Sequence, residues 1–292
     1  MYDGNPLNYD VLFTPYKIGN VTIKNRIGMS AMGLFSTNTD GSPSMFTSAF
    51  YEERARGGAG LILIGASMVS RKAANGITAM YWEDKSVIPH HTDMVERIHR
   101  YGAKAAIAIG VGSGRHAFPT MLDGREPVSA SPIPYRWDPN VKCHALTVDE
   151  IHEYVEGFEK AAYRAKCAGY DIIEVHAHCG YLIDQFMSPA WNFREDEYGG
   201  SDENRARFAI EILQAIKRGA GADMPVIYRI APDHRVPGSR TLENCGPTFA
   251  VLDKAGVDAF DCDAGSYDNI DYVFPTQYLG DQPLAYVLPT VR

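Results

Sequence analysis

The chain has 292 residues, of which 45% are hydrophobic and 22% charged, and its formal net charge is −8. This length and composition are typical of a globular protein with a sizeable core and argue against a disordered chain. The 28 basic and 36 acidic residues include no run of Lys or Arg, which argues against a nucleic-acid partner.

Export signals, membrane helices and cysteine motifs are not recognisable. Met1–Asp10 is polar and lacks a basic segment followed by an apolar one, which argues against a secretory signal. The longest apolar run, Leu61–Ile64, is far below the ~20 residues of a membrane helix. The five cysteines include no C-x-x-C pair, so neither a zinc site nor a disulfide framework is predicted. We expect reduced thiols, no bound metal, no membrane partner and a cytoplasmic location.

Short apolar runs alternate along the chain with longer amphipathic ones. The short runs are apolar on both faces, as buried parallel strands are. They predict strands at Ile27–Met32, Leu61–Ile64, Ala105–Ile109, Ile172–His176, Val226–Ile230 and Ala259–Asp263. The longer runs have the spacing of surface helices. They predict helices at Phe46–Arg56, Ile88–Tyr101, Val148–Ala168, Glu203–Arg218 and Leu242–Ala255.

Repeated β/α units with right-handed crossovers form either a doubly wound sheet or a closed barrel. Polar or glycine-rich residues follow nearly every predicted strand, for example Ser30, His176 and Arg229. In a barrel all strand ends meet on one face, whereas in a doubly wound sheet they meet at one switch point. The sequence therefore predicts an α/β fold, a single (β/α)8 TIM-barrel domain over residues 1–292.

The predicted units number six, whereas a complete barrel has eight. After Gly265 the sequence is aromatic and rich in turn residues, and a seventh strand is expected at Ala285–Leu288 with no helix after it. We therefore expect a barrel that is incomplete at its C-terminal end, unless this count is too low. The proline-rich loop Ser129–Lys142 is long enough to act as a lid over the strand ends, or it is an ordinary exposed loop.

Two segments carry extended motifs. The first, Leu12–Ile27, reads LFTPYKIGNVTIKNRI. The second reads HAHCGYLIDQFMSP from His176 and REDEYGGSDENRARF from Arg194. Together they resemble the NADH:flavin oxidoreductase family, which includes old yellow enzyme and has the patterns H-x-x-(H/N)-G-Y-L and R-x-D-x-Y-G-G-S-x-x-N-R. The segment Asp261–Gly265, DCDAG, suggests the branch of 2-enoate reductases and bile-acid or steroid reductases.

The resemblance implies that FMN binds at the C-terminal mouth of the barrel and receives hydride from NADH or NADPH. It places Arg229 near flavin N1 and O2, where a fixed cation stabilises negative charge; an ordinary salt bridge is the alternative. Residues after the first two strands would contact the flavin or simply pack the barrel: Ser30, Ala31, Met32 and Ala66. In the 2-enoate reductase branch a 4Fe-4S cluster and an FAD domain follow the barrel, and we expect them only in a longer chain.

The resemblance assigns catalysis to the end of the fourth strand. His176 would donate a hydrogen bond to the carbonyl oxygen of the substrate, together with a residue three positions later. That residue is Cys179 here, and a thiol is a poor donor, so either His178 or another group completes the site. Tyr181 would donate a proton to the carbon opposite the hydride, or it packs on the next helix.

The third strand departs from the family pattern. Many members place a glutamine against the flavin pyrimidine, and alignment on Gly114 and Arg115 puts Ile109 at that position. Isoleucine cannot hydrogen-bond the ring. The glycines Gly110, Gly112 and Gly114 would expose backbone N–H groups or widen the pocket for a bulky substrate.

We therefore predict an FMN-dependent ene-reductase that acts on small α,β-unsaturated carbonyl compounds, and the sequence leaves a homo-oligomer open. The alternative is a truncated or degenerate barrel that has lost flavin catalysis and acts as an interaction subunit, as Ile109 and Cys179 suggest. An aldolase-type barrel is disfavoured, because no lysine at a strand end suits a Schiff base.

Overall fold

A computed structural model of the chain describes residues 9–74 and 79–269, in which strands and helices alternate. The strands are β1 (Tyr16–Ile18), β2 (Val21–Ile23), β3 (Gly28–Gly33), β4 (Leu61–Met68), β5 (Met80–Tyr81), β6 (Lys104–Gly110), β7 (Val128–Ser129), β8 (His144–Ala145), β9 (Ile172–His176), β10 (Val226–Asp233) and β11 (Ala259–Ala264). The α-helices are α1 (Met45–Arg56), α2 (Arg71–Ala74), α3 (Ile88–His99), α4 (Pro119–Leu122), α5 (Val148–Cys167), α6 (Leu182–Met187), α7 (Asp202–Ala220) and α8 (Gly246–Ala255).

Six strands form one parallel sheet in the order β3-β4-β6-β9-β10-β11, and the short β5 pairs with β4 off this path. Each of the six pairs with its neighbour in chain order, which is the order of a barrel rather than of a doubly wound sheet. All six predicted strands are confirmed. β4 and β10 continue beyond their predicted ends, to Met68 and Asp233.

The sheet curls until its two outer strands meet across the interior. Ser30 Oγ on β3 donates a hydrogen bond to Asp261 Oδ2 on β11 at 3.0 Å. Arg229 Nη1 on β10 donates to the carbonyl oxygen of Ala31 on β3 at 2.8 Å. The inward-facing side chains of the strands therefore share one interior, as in a barrel. The seventh strand expected at 285–288 lies outside the described residues.

All five predicted helices are confirmed, with one corrected start. α5 begins with a capping box in which the side chains of Thr147 and Glu150 each accept from the other residue's backbone N–H. α8 begins at Gly246, four residues after the predicted Leu242. Pro247 explains the difference, because proline fits the first turn of a helix but would break a hydrogen bond further inside it.

Two hydrophobic cores lie on opposite faces of the sheet. The larger one fills the space between the sheet and the helices. The smaller one lies inside the curl, where Ile18 and Ile23 of the antiparallel β1–β2 hairpin pack against Leu63, Ile172 and Ile227. The hairpin thus closes the N-terminal end of the barrel and leaves the C-terminal strand ends for a site. Within the described ranges, every helix is too short or too polar to span a bilayer.

Candidate active site

Polar side chains meet at the C-terminal ends of β9, β10 and β11. Arg229 on β10 is in register with His176 on β9 and with Asp261 on β11. Three polar residues therefore form a row across adjacent strands on the inner face of the sheet. Barrel enzymes carry their active sites at this end of the strands.

Arg229 lies between two carboxylates. Its Nε is 3.5 Å from Asp263 Oδ2 and 3.8 Å from Asp261 Oδ2. Burial lowers the pKa of Arg229, but the neighbouring carboxylates, above all Asp263, outweigh this effect and raise it, so the guanidinium is charged. Arg229 Nε has no hydrogen-bond partner among the described residues. The predicted position at the mouth and the salt bridges are therefore both found, and one N–H remains available to a ligand.

Glu174 is a second interior group that the sequence motifs did not indicate. It lies on the same face of β9 as His176 and is fully buried. Burial, followed by the nearby Asp261, raises the pKa of Glu174 well above its usual value, so the carboxyl is protonated. Its two oxygens make no hydrogen bond within the described part of the chain. The available signal was a charged residue inside an otherwise apolar strand.

The three residues predicted to be catalytic are brought together. The rings of His176 and Tyr181 stack with centroids 5.0 Å apart, and the ring of His178 lies 4.4 Å from that of His176. Burial lowers the pKa of His176 well below its usual value, so this imidazole is neutral. Its Nδ1 atom is buried and has no partner in the described structure.

His178 is the second histidine at the end of β9. Its Nδ1 is hydrogen-bonded to Asp263 Oδ2, and Cys179 Sγ lies 2.9 Å from the same nitrogen. His178 Nε2 is buried and unpaired within the described ranges. Burial raises the pKa of Cys179 well above its usual value, so it stays a thiol. The sequence left the second hydrogen-bond donor beside His176 open between His178 and another group, and this geometry favours His178.

The ligand atoms of His178, Cys179 and Asp263 lie within 4.8 Å of one another and are of types that bind metals. Two observations favour a hydrogen-bonded group instead. Both Sγ and Oδ2 approach a single ring nitrogen. The Arg229 guanidinium also lies beside the carboxylate and would repel a cation.

Tyr267 is a site residue that sequence reasoning missed. Its ring lies 5.4 Å from that of Tyr181. Its backbone N–H donates to the carbonyl oxygen of Cys179 at 3.1 Å. Burial raises the pKa of Tyr181 well above its usual value of 10.0, so this phenol keeps its proton. Tyr267 lies in the turn-rich segment after Gly265, where no motif indicated a function.

The residues predicted to contact the cofactor after the first two strands occupy two places. Ser30 and Ala31 lie at the mouth through their hydrogen bonds to Asp261 and Arg229. The side chain of Met32 is exposed. Ala66 lines a neighbouring cleft between the ends of β3 and β4, together with Gly33 to Thr37.

Ile109 does not face the mouth, and its prediction as a cofactor contact is wrong. Its side chain is fully buried in the core between sheet and helices, with Ile107 and Val175. Side chains alternate along a strand, so the inward position belongs to Gly110. A Cβ atom at Gly110 would lie only 3.2 Å from Cβ of His176. At Gly110, β6 therefore presents only backbone atoms beside His176.

The loop Ser129–Lys142 packs against the mouth through its central residues. Tyr135 is buried. Arg136 Nη1 lies 3.2 Å from Asp268 Oδ1, and Arg115 Nη1 lies 2.5 Å from Asp268 Oδ2. The loop and the end of β6 thus both hold the segment that carries Tyr267. A lid function for this loop stays a prediction.

A sequence model of the NADH:flavin oxidoreductase / NADH oxidase family matches residues 11–287. The chain belongs to this family. The resemblance inferred from the two motifs is thereby confirmed.

Family relatives differ widely in length. The chain is 39% identical over 290 residues to a cinnamate reductase of Clostridium sporogenes, covering 92% of this chain and 44% of that protein. It is also 39% identical over 267 residues to an NADPH dehydrogenase of Listeria innocua, covering 90% of this chain and 76% of that protein. It therefore spans less than half the length of the cinnamate reductase.

Solved structures of flavin oxidoreductases share the fold. A 2-naphthoyl-CoA reductase superposes with a TM-score of 0.80 at 27% identity, over 89% of this chain and 41% of that one. Morphinone reductase gives 0.77 at 30% identity, over 89% and 74%. An old yellow enzyme homologue of Zymomonas mobilis gives 0.76 at 27% identity, over 87% and 74%. The predicted TIM-barrel class is confirmed.

The unpaired atoms at the mouth fit the polar edge of the flavin that the family name implies. Arg229 Nε, the carboxyl of Glu174 and His176 Nδ1 are all buried without a partner in the described part of the chain. A flavin pyrimidine edge presents both carbonyl oxygens and ring nitrogens to such groups. The small residues Ser30 and Ala31 leave room beside them. The residues present therefore fit the pyrimidine edge of a flavin.

Proposed function

We propose that this chain is an FMN-dependent ene-reductase domain that uses NADH or NADPH to reduce the C=C bond of α,β-unsaturated carbonyl compounds. The observation that carries the proposal is the arrangement of charged Arg229, neutral His176 and protonated Tyr181 around one mouth. FMN bound there would carry a hydride from the nicotinamide to the substrate.

Arg229 supplies the fixed cation of the flavin site in this proposal. Its Nη1 donates to the carbonyl oxygen of Ala31, and its Nε makes no hydrogen bond among the described residues. Because the guanidinium is largely buried, its charge is poorly screened by water and acts strongly on a ring edge beside it. Asp263 stays ionised next to it: burial raises the pKa of Asp263, but His178 and Arg229 lower it further.

His176 and His178 supply the substrate-binding nitrogens. Each has one buried ring nitrogen without a partner within the described ranges. Hydrogen bonds from such nitrogens to the carbonyl oxygen would stabilise the negative charge that develops there when hydride reaches the β-carbon. Asp263 accepts from Nδ1–H of His178, which leaves Nε2 for the substrate. Nε2 can donate to the carbonyl oxygen only when both ring nitrogens carry a proton.

Tyr181 is the proton donor in this scheme. Its raised pKa keeps the phenol protonated at neutral pH, and its stacking on His176 places it beside the same substrate pocket. The proton would pass from its hydroxyl to the α-carbon of the substrate, opposite the incoming hydride. The ring of Tyr267 lies 5.4 Å from that of Tyr181 and packs beside it.

The names of the relatives support the substrate class. Cinnamate, morphinone and 2-naphthoyl-CoA, which appear in three of them, are conjugated acids, ketones or thioesters. We therefore infer a small conjugated carbonyl or carboxyl compound for this chain. A 4Fe-4S cluster and FAD stay predictions for a longer chain only.

The test is anaerobic reconstitution with FMN. We expect a yellow protein that quenches FMN fluorescence at a 1:1 ratio, bleaches with NADH or NADPH, and regains colour when cyclohexenone is added. A colourless protein under these conditions would contradict the proposal and would support a degenerate barrel that acts as an interaction subunit.

A further inference from the structure

A fully buried ionic cluster adjoins the segment His176–Tyr181. It consists of Asp184 on α6 and of His234 and Arg240 in the segment after β10, each with a side chain no more than 2% exposed. Asp184 Oδ2 accepts from His234 Nε2 at 2.8 Å, and Asp184 Oδ1 accepts from Arg240 Nη2. Charged groups are rarely buried so completely unless they are paired. None of the three has a role in the chemistry proposed above.

The same carboxylate holds the backbone next to Tyr181. The N–H of Gly180 donates to Asp184 Oδ2 at 2.9 Å, and Gln185 Nε2 donates to the carbonyl oxygen of Gly180 at 2.6 Å. The peptide groups on both sides of Gly180 are therefore fixed by side chains of α6. Gly180 has a φ of +71°, and a Cβ there would lie 2.9 Å from Trp191 Cη2. This backbone conformation is open to glycine and strained for other residues.

The charges in the cluster balance. Burial lowers the pKa of His234, so its imidazole is neutral. Burial raises the pKa of Asp184, but the hydrogen bond from His234 and the charge of Arg240 outweigh it and lower the pKa far below its usual value. One anion thus faces one cation, and an ionised acceptor makes a stronger hydrogen bond to Gly180 than a neutral one would. Ser239 Oγ, 2.5 Å from His234 Nδ1, ties the cluster to the segment after β10.

A matched cluster lies at the other end of β9. Asp171 accepts from His99 Nε2 at 2.6 Å, from Lys104 Nζ at 2.7 Å and from the backbone N–H of Ala105 at 2.9 Å. It has the same parts as the first cluster: a carboxylate, a histidine, a cation and a backbone N–H. Asp171 precedes β9, far from the mouth, and its partners His99 and Lys104 are partly exposed. It therefore provides a control for loss of an ion pair away from the site.

We propose that Asp184, supported by His234 and Arg240, is a positioning residue that fixes the Gly180–Tyr181 turn and so aims the Tyr181 hydroxyl at the substrate. The proposal rests on the proposed function, in which Tyr181 is the proton donor. Its physical core is the hydrogen bond from Gly180 N–H to Asp184, which exists with or without cofactor.

The first test needs no flavin. Amide hydrogen exchange is measured by mass spectrometry on a peptide spanning residues 178–182 in two double variants. In Asp184→Asn/Arg240→Gln, both charges are removed together, so that neither is left buried alone. We expect exchange in this peptide to become about tenfold faster or more, because its fixed amides open more often. In the control Asp171→Asn/Lys104→Gln, the exchange rate of the same peptide is expected to stay within about twofold of the wild-type rate.

The second test separates the two half-reactions after loading with FMN. In Asp184→Asn/Arg240→Gln, reoxidation by cyclohexenone should slow about tenfold, with a larger solvent isotope effect, because proton donation is impaired. Bleaching by NADPH, which needs no proton from Tyr181, should change less than about threefold. Equal slowing of both half-reactions, or the same pattern in the Asp171 control, would overturn the proposal.

A milder variant guards against misfolding. Ser239→Ala removes one hydrogen bond from His234 and leaves the charge pair intact. We expect a smaller change of the same kind, about threefold faster exchange in residues 178–182. Unchanged exchange in both variants would refute the positioning role. A wild-type protein that fails to bind FMN would refute the proposed function alone, because the exchange result does not depend on it.

Discussion

Oδ2 of Asp263 lies 3.5 Å from Arg229 Nε and also accepts a hydrogen bond from Nδ1 of His178. One carboxylate thus connects the arginine proposed to hold the flavin with the histidine proposed to hold the substrate. These residues come from three adjacent strand ends, which only a parallel sheet brings side by side.

Asp263→Asn tests the substrate half of this arrangement. An amide holds His178 more weakly than a carboxylate does, so we expect KM for cyclohexenone to rise about tenfold with a smaller change in kcat. Steady-state kinetics on FMN-loaded protein provide the measurement. Asp253→Asn, on the exposed side of α8, serves as the control and should leave KM unchanged. An unchanged KM in Asp263→Asn would contradict the orienting role.

Arg229→Met tests the flavin half. Methionine fills similar space without the cation, and we expect the dissociation constant for FMN to rise about tenfold or more. Fluorescence quenching of FMN measures it. Arg218→Met removes a half-exposed arginine on α7 and is the matched control. Equal affinity in both variants would show that Arg229 acts only as a salt bridge.

Tyr181→Phe removes the proposed proton donor while keeping the ring stacked on His176. We expect reoxidation by cyclohexenone to slow about 100-fold, because general-acid catalysis of this kind contributes that much or more, and bleaching by NADPH to stay nearly unchanged. Stopped-flow absorbance follows both steps. Tyr163→Phe, on the exposed face of α5, is the control. A normal rate of reoxidation would assign proton donation to another group.

Cys179→Asn tests the departure from the family pattern. Residue 179 has a φ of +57°, a left-handed conformation that asparagine tolerates better than most residues. An amide N–H replaces a weak thiol donor, so we expect KM for cyclohexenone to fall about threefold or more. Cys179→Ser offers a hydroxyl donor on a shorter side chain, so we expect its KM to lie between those of the wild type and Cys179→Asn. A higher KM in Cys179→Asn would show that the thiol supports His178 instead.

Asp171→Asn tests the cluster at the N-terminal end of β9. Burial raises the pKa of Asp171, but hydrogen bonds from His99 and Lys104 outweigh it, so the folded-state pKa lies below the unfolded one. The carboxylate therefore stabilises the fold above the unfolded pKa, and this contribution is lost as pH falls through the folded one. We expect the variant to be less stable by about 1–2 kcal/mol at pH 7, because Lys104 is partly exposed and screened. In urea unfolding, the difference in free energy of unfolding between the wild type and the variant should shrink below about pH 4. A difference independent of pH would contradict a stabilising role of the ionised carboxylate.

The strands and the motif at the end of β9 could be predicted because their signals are local. A buried parallel strand is a short apolar run, and His176 to Tyr181 occupy adjacent positions in the chain. Ile109 was misplaced for a local reason as well. Alignment on Gly114 and Arg115 fixes the loop after β6, but the alternation within the strand decides which residue faces inward.

The remaining site residues depend on contacts between distant parts of the chain. Tyr267 meets Tyr181 only because β11 ends beside β10 and β9. Asp184 meets Arg240, 56 positions later, only because α6 packs against the segment after β10. Neither contact could be detected from periodicity or spacing, since the sequence gives no distance between separate elements.

The β1–β2 hairpin has a kinetic consequence. Ile18 and Ile23 pack against the inner face of the sheet and close one end of the barrel. Under the proposed function, the nicotinamide and the unsaturated substrate would therefore both approach the flavin from the opposite end. If both reactants bind at the same place on the flavin, each must leave before the other binds. This predicts ping-pong kinetics in which the two reactants compete for one binding site.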